Sequence, residues 1–374
     1  MNTDSFVDAL QLIDHHCHGV VSAALDRDGF ESLLSEGGAP PAGLSNFDTP
    51  LALAVRRWCA PALDLPAHAD ADAYLRRRIE LGTEEVNRRL LRGTGTSHYL
   101  MDTGFRSADV LTPGPFGAAA GAETREVVRL EAIAEQVAGS GTDAASFLPA
   151  LDAALDDATA SAVGTKSIIA YRGGFDFEPE PPAEHEVTRA ASEWLRGSER
   201  NGGWRLDHPV LQRHLLWWAV RRGLPLQFHV GYGDPDIVLF RTDPSRMTAF
   251  LKATASSGTP MMLLHCYPFQ RHAAYLAAVL PHVYFDIGLT IPYVGASAAK
   301  LLGEALEVAP FTKLLYSSDA FGLPELYLTG AILFRRALSR VLGEWLADDA
   351  ITTQDAERVA SLICADNARR VYRL

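Results

Sequence analysis

Cysteine is scarce in this chain: Cys17, Cys59, Cys266 and Cys364 are widely scattered, and no two form a C-x-x-C pair. That spacing argues against a disulfide framework or a thiolate zinc cluster and makes a reducing compartment the default. No apolar run approaches the ~20 residues needed to span a bilayer. The N-terminal stretch MNTDSFVDALQLIDHH has neither the basic region nor the apolar core of a signal peptide. The expected setting is cytoplasmic, with no membrane partner. A basic stripe is missing as well: 34 Lys and Arg stand against 46 Asp and Glu, a formal charge of −12 spread along the chain. A nucleic-acid partner would need clustered cations to displace counterions from phosphate. The expected partner is instead a small-molecule substrate. Internal repeats and low-complexity linkers are lacking too, so the 374 residues are expected to form a single domain.

What is present is an alternation of short strand-like runs with longer helical ones. The strand candidates are 10–18, 96–104, 126–132, 164–172, 225–231, 259–267, 282–288 and 312–320. Several are apolar on both faces, as strands of a covered parallel sheet are. Helical patterns fill the gaps: 132–159 reads as helix, turn, helix, and 208–222, 269–280, 294–308 and 324–346 read as single helices. Eight strand–helix units predict a (β/α)8 TIM-type barrel. Two long stretches, 19–92 and 174–207, interrupt the alternation and read as helical insertions emerging at the C-terminal face. That face is where barrel enzymes place their chemistry.

The strand ends carry the polar residues. His16 and His18 are two apart on the first strand, so their side chains share a face and can bind one divalent ion. His15 is expected on the opposite face, in a structural role. The fifth strand ends in His229, the sixth in His265 and the eighth in Asp319. A lone strand histidine is more often a satisfied core residue than a ligand. Four histidines and an aspartate at strand ends that converge on one mouth are much harder to assign to packing, because burying them without partners would cost several kcal/mol.

The I-D-x-H-x-H pattern, the single histidines ending strands five and six and the aspartate ending strand eight resemble the amidohydrolase superfamily, in particular amidohydrolase family 2. The closing DNARRVY (366–372) is similar to the segment that ends many members. KSIIAYR and the HVGYGD around His229 resemble the amidohydrolase domain of nodulin-type and fungal proteins fused to glutamine-synthetase-like domains. The resemblance implies a metal held by His16, His18, His229 and Asp319, usually zinc, with manganese or iron as alternatives. It implies that His265 polarises the substrate or shuttles a proton. Imidazole and carboxylate ligands suit Zn²⁺, which brings bound water to a pKa of about 7. Asp319 is then placed to take that water's proton and pass it to a leaving amine.

In some members a fourth-strand lysine is carboxylated and bridges two metals. Lys166 lies on that strand, but six residues before its apparent end at Arg172, which is deep for a ligand. One metal is therefore expected, with Lys166 the candidate ligand of a second. His98 and Asp102, Glu131, Tyr171 and Arg172 are candidates for substrate binding. Arg172 could clamp a substrate carboxylate or pair with the acidic 176–186 segment. Tyr232 and Asp234 either order the fifth loop or bind substrate. Cys17 and Cys266 are expected to pack in the core.

Three outcomes are open on these residues. The leading one is hydrolysis of an amide or related C–N bond of a small molecule, of γ-glutamyl type on the glutamine-synthetase-linked resemblance. The second is a lyase, such as a non-oxidative decarboxylase with the same ligands, and the third a catalytically silent binding protein. Barrel architecture makes a homodimer an expectation, although no residue specifies one.

Overall fold

The computed structural model describes residues 3–201 and 203–374. Among these residues seven strands pair in sequence order: β1 Leu12–Cys17, β2 Thr96–Asp102, β3 Glu123–Arg129, β4 Gly164–Ser167, β5 Leu226–Val230, β6 Met261–His265 and β7 Val283–Phe285. Every pairing is parallel. Helices cover the sheet, so β1, β4, β5 and β6 are buried along their whole length. The result is a TIM-type α/β fold.

The eighth strand expected over 312–320 is not regular, although the segment lies between β7 and β1. On one side the Phe285 amide donates to the Lys313 carbonyl at 3.0 Å and the Leu315 amide to the Phe285 carbonyl at 3.1 Å. On the other the His15 amide reaches the Tyr316 carbonyl at 3.2 Å and the Asp319 amide the His16 carbonyl at 3.0 Å. Regular pairing fails where Ser318 turns its amide and hydroxyl to the Asp14 carboxylate, at 3.0 and 2.5 Å. Asp319 then enters the left-handed region at φ 49°, a conformation sparsely populated by residues other than glycine.

Two strand boundaries and one register differ from the sequence expectation in ways that move site residues. The chain leaves β4 at Ser167 and turns through a short 3₁₀ segment, Ile169–Tyr171. β3 ends at Arg129, and the helix Leu130–Gly139 begins at once, so Glu131 is helical rather than strand-borne. The register of β1 on β2 shifts between Asp14 and Cys17. Strict alternation is lost there, and His15 is not turned away as expected but reaches groups inside the barrel.

The stretch 19–92 contains the helices Arg27–Ser32, Pro50–Ala62, Ala71–Leu81 and Thr83–Arg92. Asp26, Thr49 and Asp70 cap the first three with side-chain oxygens. A buried ion pair from Arg78 to Glu325, 2.6 Å long and joined by the Tyr74 hydroxyl at 2.9 Å, docks this stretch on the long helix Pro324–Ala347.

Inside the barrel Ile13, Leu100, Val127, Met262, Leu264 and Leu315 pack with Ala368, Val371 and Tyr372 of the last helix, Asn367–Tyr372. Tyr372 enters from the end where β4 begins: a Cβ on Gly164 would stand 3.2 Å from its ring. No helix among the described residues is long and apolar enough to cross a membrane.

Candidate metal centre

At the opposite end the strand termini converge. Asp319 Oδ1 lies 2.9 Å from His16 Nε2 and 3.4 Å from His18 Nε2, and Asp319 Oδ2 lies 3.3 Å from His265 Nε2. The His229 ring is centred 4.5 Å from that of His265. His16, His265 and Asp319 offer donor atoms all within 4.8 Å of one another, and so do His16, His18 and Asp102. His229 stands just outside these two triads, with the Tyr171 hydroxyl 3.2 Å from both of its ring nitrogens.

The hydrogen bonds behind the cluster decide which ring atoms face it. The Gln227 amide nitrogen donates to the His15 carbonyl and to the Tyr372 hydroxyl, each at 2.8 Å. A carbonyl only accepts, so the other amide atom, Oε1, must be the one 2.8 Å from His16 Nδ1. His16 Nδ1 therefore carries the hydrogen, and neutral His16 turns the lone pair of Nε2 toward Asp319. His18 is fixed the same way, its Nδ1 donating to the Asp102 carbonyl at 3.1 Å.

Two imidazole lone pairs thus face one carboxylate oxygen, and Asp319 Oδ1 has no hydrogen-bond partner among the described residues. Such an arrangement needs a cation between its members. A proton is a poor candidate, because burial and the charge of Lys166 bring the His16 pKa down to about 3. Burial would raise the Asp319 carboxyl, but the neighbouring His265 and His16 hold it well below the usual carboxylate range. A divalent cation with nitrogen and oxygen ligands fits this donor set.

Further groups surround the cluster. Lys166 is buried and lines the same cavity as His16, His229, His265 and Asp319. The sequence placed it too deep, because the apolar run 164–172 outlasts the strand: Lys166 is the penultimate residue of β4. Burial lowers its pKa to about 8 against the pull of Asp319 and Asp102. Burial lowers His265 to about 4, so it is a neutral imidazole near pH 7. His265 and Asp319 both hold positive φ, 67° and 49°, which is strain kept at the mouth of the barrel. Cys17 and Cys266 are buried and free, in core positions.

Beneath the cluster His15 Nδ1 lies 3.0 Å from the Tyr372 hydroxyl and Nε2 3.0 Å from Asp286. Asp286 in turn accepts the His265 backbone amide at 2.8 Å.

A cavity of about 470 Å³ opens over the donors. Tyr171 and Arg172 line it, but His98 and Glu131 do not. His98 is the third residue of β2, well before its C-terminal end, and faces Ser97 at 3.0 Å and Glu123 at 3.7 Å in a groove beside the strand starts. Glu131 is buried under the end of β4, accepting the Ser167 hydroxyl at 2.6 Å and the Ile168 amide at 3.0 Å. Arg172 pairs with Glu135 at 3.3 Å rather than with the 176–186 segment. Asp102 Oδ2 is bound by Arg129 at 2.6 Å, and its Oδ1 accepts the Gly104 amide at 2.9 Å.

The cavity also contains groups the sequence did not single out: Arg129, Arg205, Glu36 and Tyr293. Arg129 ends β3, but the sequence expectation carries that strand on to 132, so the strand-end rule points to Glu131 instead. Gln227 lies two residues before His229, on the same strand face, and period-two spacing marks it. Glu36, Tyr293 and Arg205 lie outside the strands and carry no periodic signal. Glu36 accepts the Tyr293 hydroxyl at 2.9 Å, and burial and Asp319 raise its pKa to about 7.

Fold and donors together define a TIM-type barrel with a candidate metal centre at its strand ends. The family model for amidohydrolases matches residues 113–374, and the chain belongs to that family. A Lactobacillus casei ATCC 334 protein designated a metal-dependent hydrolase is 29% identical, with 100% of this chain and 97% of that one aligned at a TM-score of 0.87. Protein fluG of Emericella nidulans is 28% identical over 411 residues, covering 97% of this chain but 46% of fluG. The chain therefore spans about half the length of that curated relative. Glucuronate isomerase from Caulobacter crescentus aligns over 99% of this chain and 93% of its own at a TM-score of 0.68, but with 15% identity that likeness shows the fold alone.

Proposed function

We propose that this protein hydrolyses an amide, or a related C–N bond, of a small molecule. The observation that carries the reading is the pair of imidazole lone pairs, His16 Nε2 and His18 Nε2, turned on Asp319 Oδ1. His16, His18, His229 and Asp319 would hold the ion, with zinc the expected metal. A divalent ion there supplies Lewis-acid polarisation and lowers the pKa of water to about 7.

The remaining chemistry belongs to the chain. As the water oxygen bonds to the amide carbon, the Asp319 carboxylate accepts the water's proton. As the C–N bond breaks, that proton passes from Asp319 to the leaving nitrogen, so acid and amine are the products. His265 is neutral and buried, and donates a hydrogen bond to the carbonyl oxygen as negative charge develops there. Tyr171, packed on the His229 ring, closes the wall beside it. Amidohydrolase family membership and the likeness to the Lactobacillus casei hydrolase support this chemistry. A γ-glutamyl-type amide is the proposed substrate.

The test is an amide panel assayed for amine and acid release with the metal-loaded protein. Amine release that stops on chelation and returns with the metal is the expected result. Full activity in a metal-free preparation, or release of CO₂ in place of amine, would overturn the reading, the latter in favour of a lyase.

A further inference from the structure

The cavity wall built after β4 and β5 keeps guanidinium N–H groups free and one carboxylate without an ion pair among the described residues. Arg172 donates Nε to the Leu206 carbonyl at 3.1 Å and Nη2 to Glu135 at 3.3 Å, with no partner for Nη1 among the described residues. Arg205 uses only Nη2, toward the Tyr171 carbonyl at 2.9 Å and Asp236 at 3.1 Å. Asp234 accepts the Asp236 amide at 2.9 Å and forms no ion pair among the described residues. All three residues line the cavity that contains the metal donors.

The Asp234 loop packs directly on those donors. A Cβ on Gly233 would stand 2.7 Å from His229 Nε2 and 2.5 Å from the Tyr171 hydroxyl. Only glycine lets the backbone approach that closely, and the approach places the next residue beside the cluster. The cavity, about 470 Å³, is of a size that encloses a small metabolite.

We propose that the substrate's acyl half is an α-amino acid: Arg172 and Arg205 take its carboxylate, and Asp234 takes its ammonium. Its side-chain amide then extends to the His16–Asp319 cluster. This rests on the amide-hydrolase reading above and adds what the site recognises. A guanidinium with free N–H groups is the natural partner of a planar carboxylate. A free guanidinium N–H that loses its ligand carboxylate, or the Asp234 carboxylate that loses its ligand ammonium, is left without that charge-assisted hydrogen bond, which is how such a wall would discriminate. Apart from Asp319 at the metal donors, Glu36 is the other cavity carboxylate without an ion pair among the described residues, but it already accepts the Tyr293 hydroxyl.

Calorimetric titration of the metal-loaded protein with three product-like probes tests the proposal without needing turnover. L-glutamate carries both head groups, glutarate lacks the ammonium, and 4-aminobutyrate lacks the α-carboxylate. Glutamate is expected to bind at least about tenfold more tightly than either analogue. Asp234→Asn should bring glutamate down to the level of glutarate while leaving glutarate and metal content unchanged. Arg172→Met should bring it down to the level of 4-aminobutyrate.

Equal affinity for the three probes, or no glutamate binding at millimolar concentration, would overturn the proposal. So would loss of discrimination in Glu36→Gln but not in Asp234→Asn. Discrimination among the probes with no hydrolysis of any glutamyl amide would sink the hydrolase reading and leave standing the assignment of Arg172, Arg205 and Asp234 as an amino-acid site.

Discussion

Gln227 holds His16 by the ring nitrogen that faces away from Asp319, through a 2.8 Å contact between its amide oxygen and Nδ1. The same amide donates to the Tyr372 hydroxyl, so the last helix of the chain sets the orientation of a strand-one histidine. Groups that fix a ligand's tautomer typically contribute 10- to 100-fold to metal affinity. Gln227→Leu should therefore weaken metal binding by about that factor in a chelator competition, with Tyr372→Phe causing a smaller loss in the same direction. Unchanged affinity in Gln227→Leu would show that the amide does not orient the ligand.

Lys166 lines the donor cavity, and its lowered pKa leaves a share of the amine neutral near pH 8. One ion is nonetheless expected. Metal analysis of protein prepared with bicarbonate should give about one ion per chain, and Lys166→Met should keep it. Two ions in the wild type, one of them lost in Lys166→Met, would instead assign Lys166 as a carboxylated bridge.

Arg78 and Glu325 are almost fully buried and bind each other at 2.6 Å. Removing one partner of such a pair leaves an uncompensated buried charge and costs about 3–5 kcal/mol. Arg78→Met should lower the urea midpoint accordingly, while metal affinity measured on the folded protein stays at the wild-type value. A midpoint unchanged from wild type would mean that the 71–81 helix is held by its apolar face alone.

His98→Ala should leave kcat/KM within about twofold of wild type, as a substitution of a half-buried residue away from the chemistry does. The residue lines a groove beside the strand starts and, among the described residues, pairs with Ser97 and Glu123. A loss of a hundredfold would place function at that end of the barrel.

The strand-end residues were legible because topology does the collecting. Parallel strands in a barrel all present their C-termini at one mouth, so His16, His18, His229, His265 and Asp319 converge although they are far apart in sequence. Errors arose where strand length, not strand order, decided a residue's place. The apolar run after Lys166 looks like continued strand but turns into a 3₁₀ segment, which made Lys166 seem too deep. Glu131 looked strand-borne because the helix starts directly after Arg129 with no loop between them. His15 was misdirected by a register shift that no sequence pattern announces. The walls of the cavity were the least legible part. Glu36, Arg205 and Tyr293 sit in segments whose conformation is set by what they pack on, and they follow no period.

The most direct test of the metal centre is metal content after dialysis, compared between wild type and the His16→Ala and Asp319→Ala variants, with circular dichroism confirming the fold. About one divalent ion per chain is expected in wild type and less than about a tenth of that in each variant, amide hydrolysis falling in parallel. Variants that keep a full complement of metal, or a wild-type protein that hydrolyses amides at its full rate with none, would contradict that expectation.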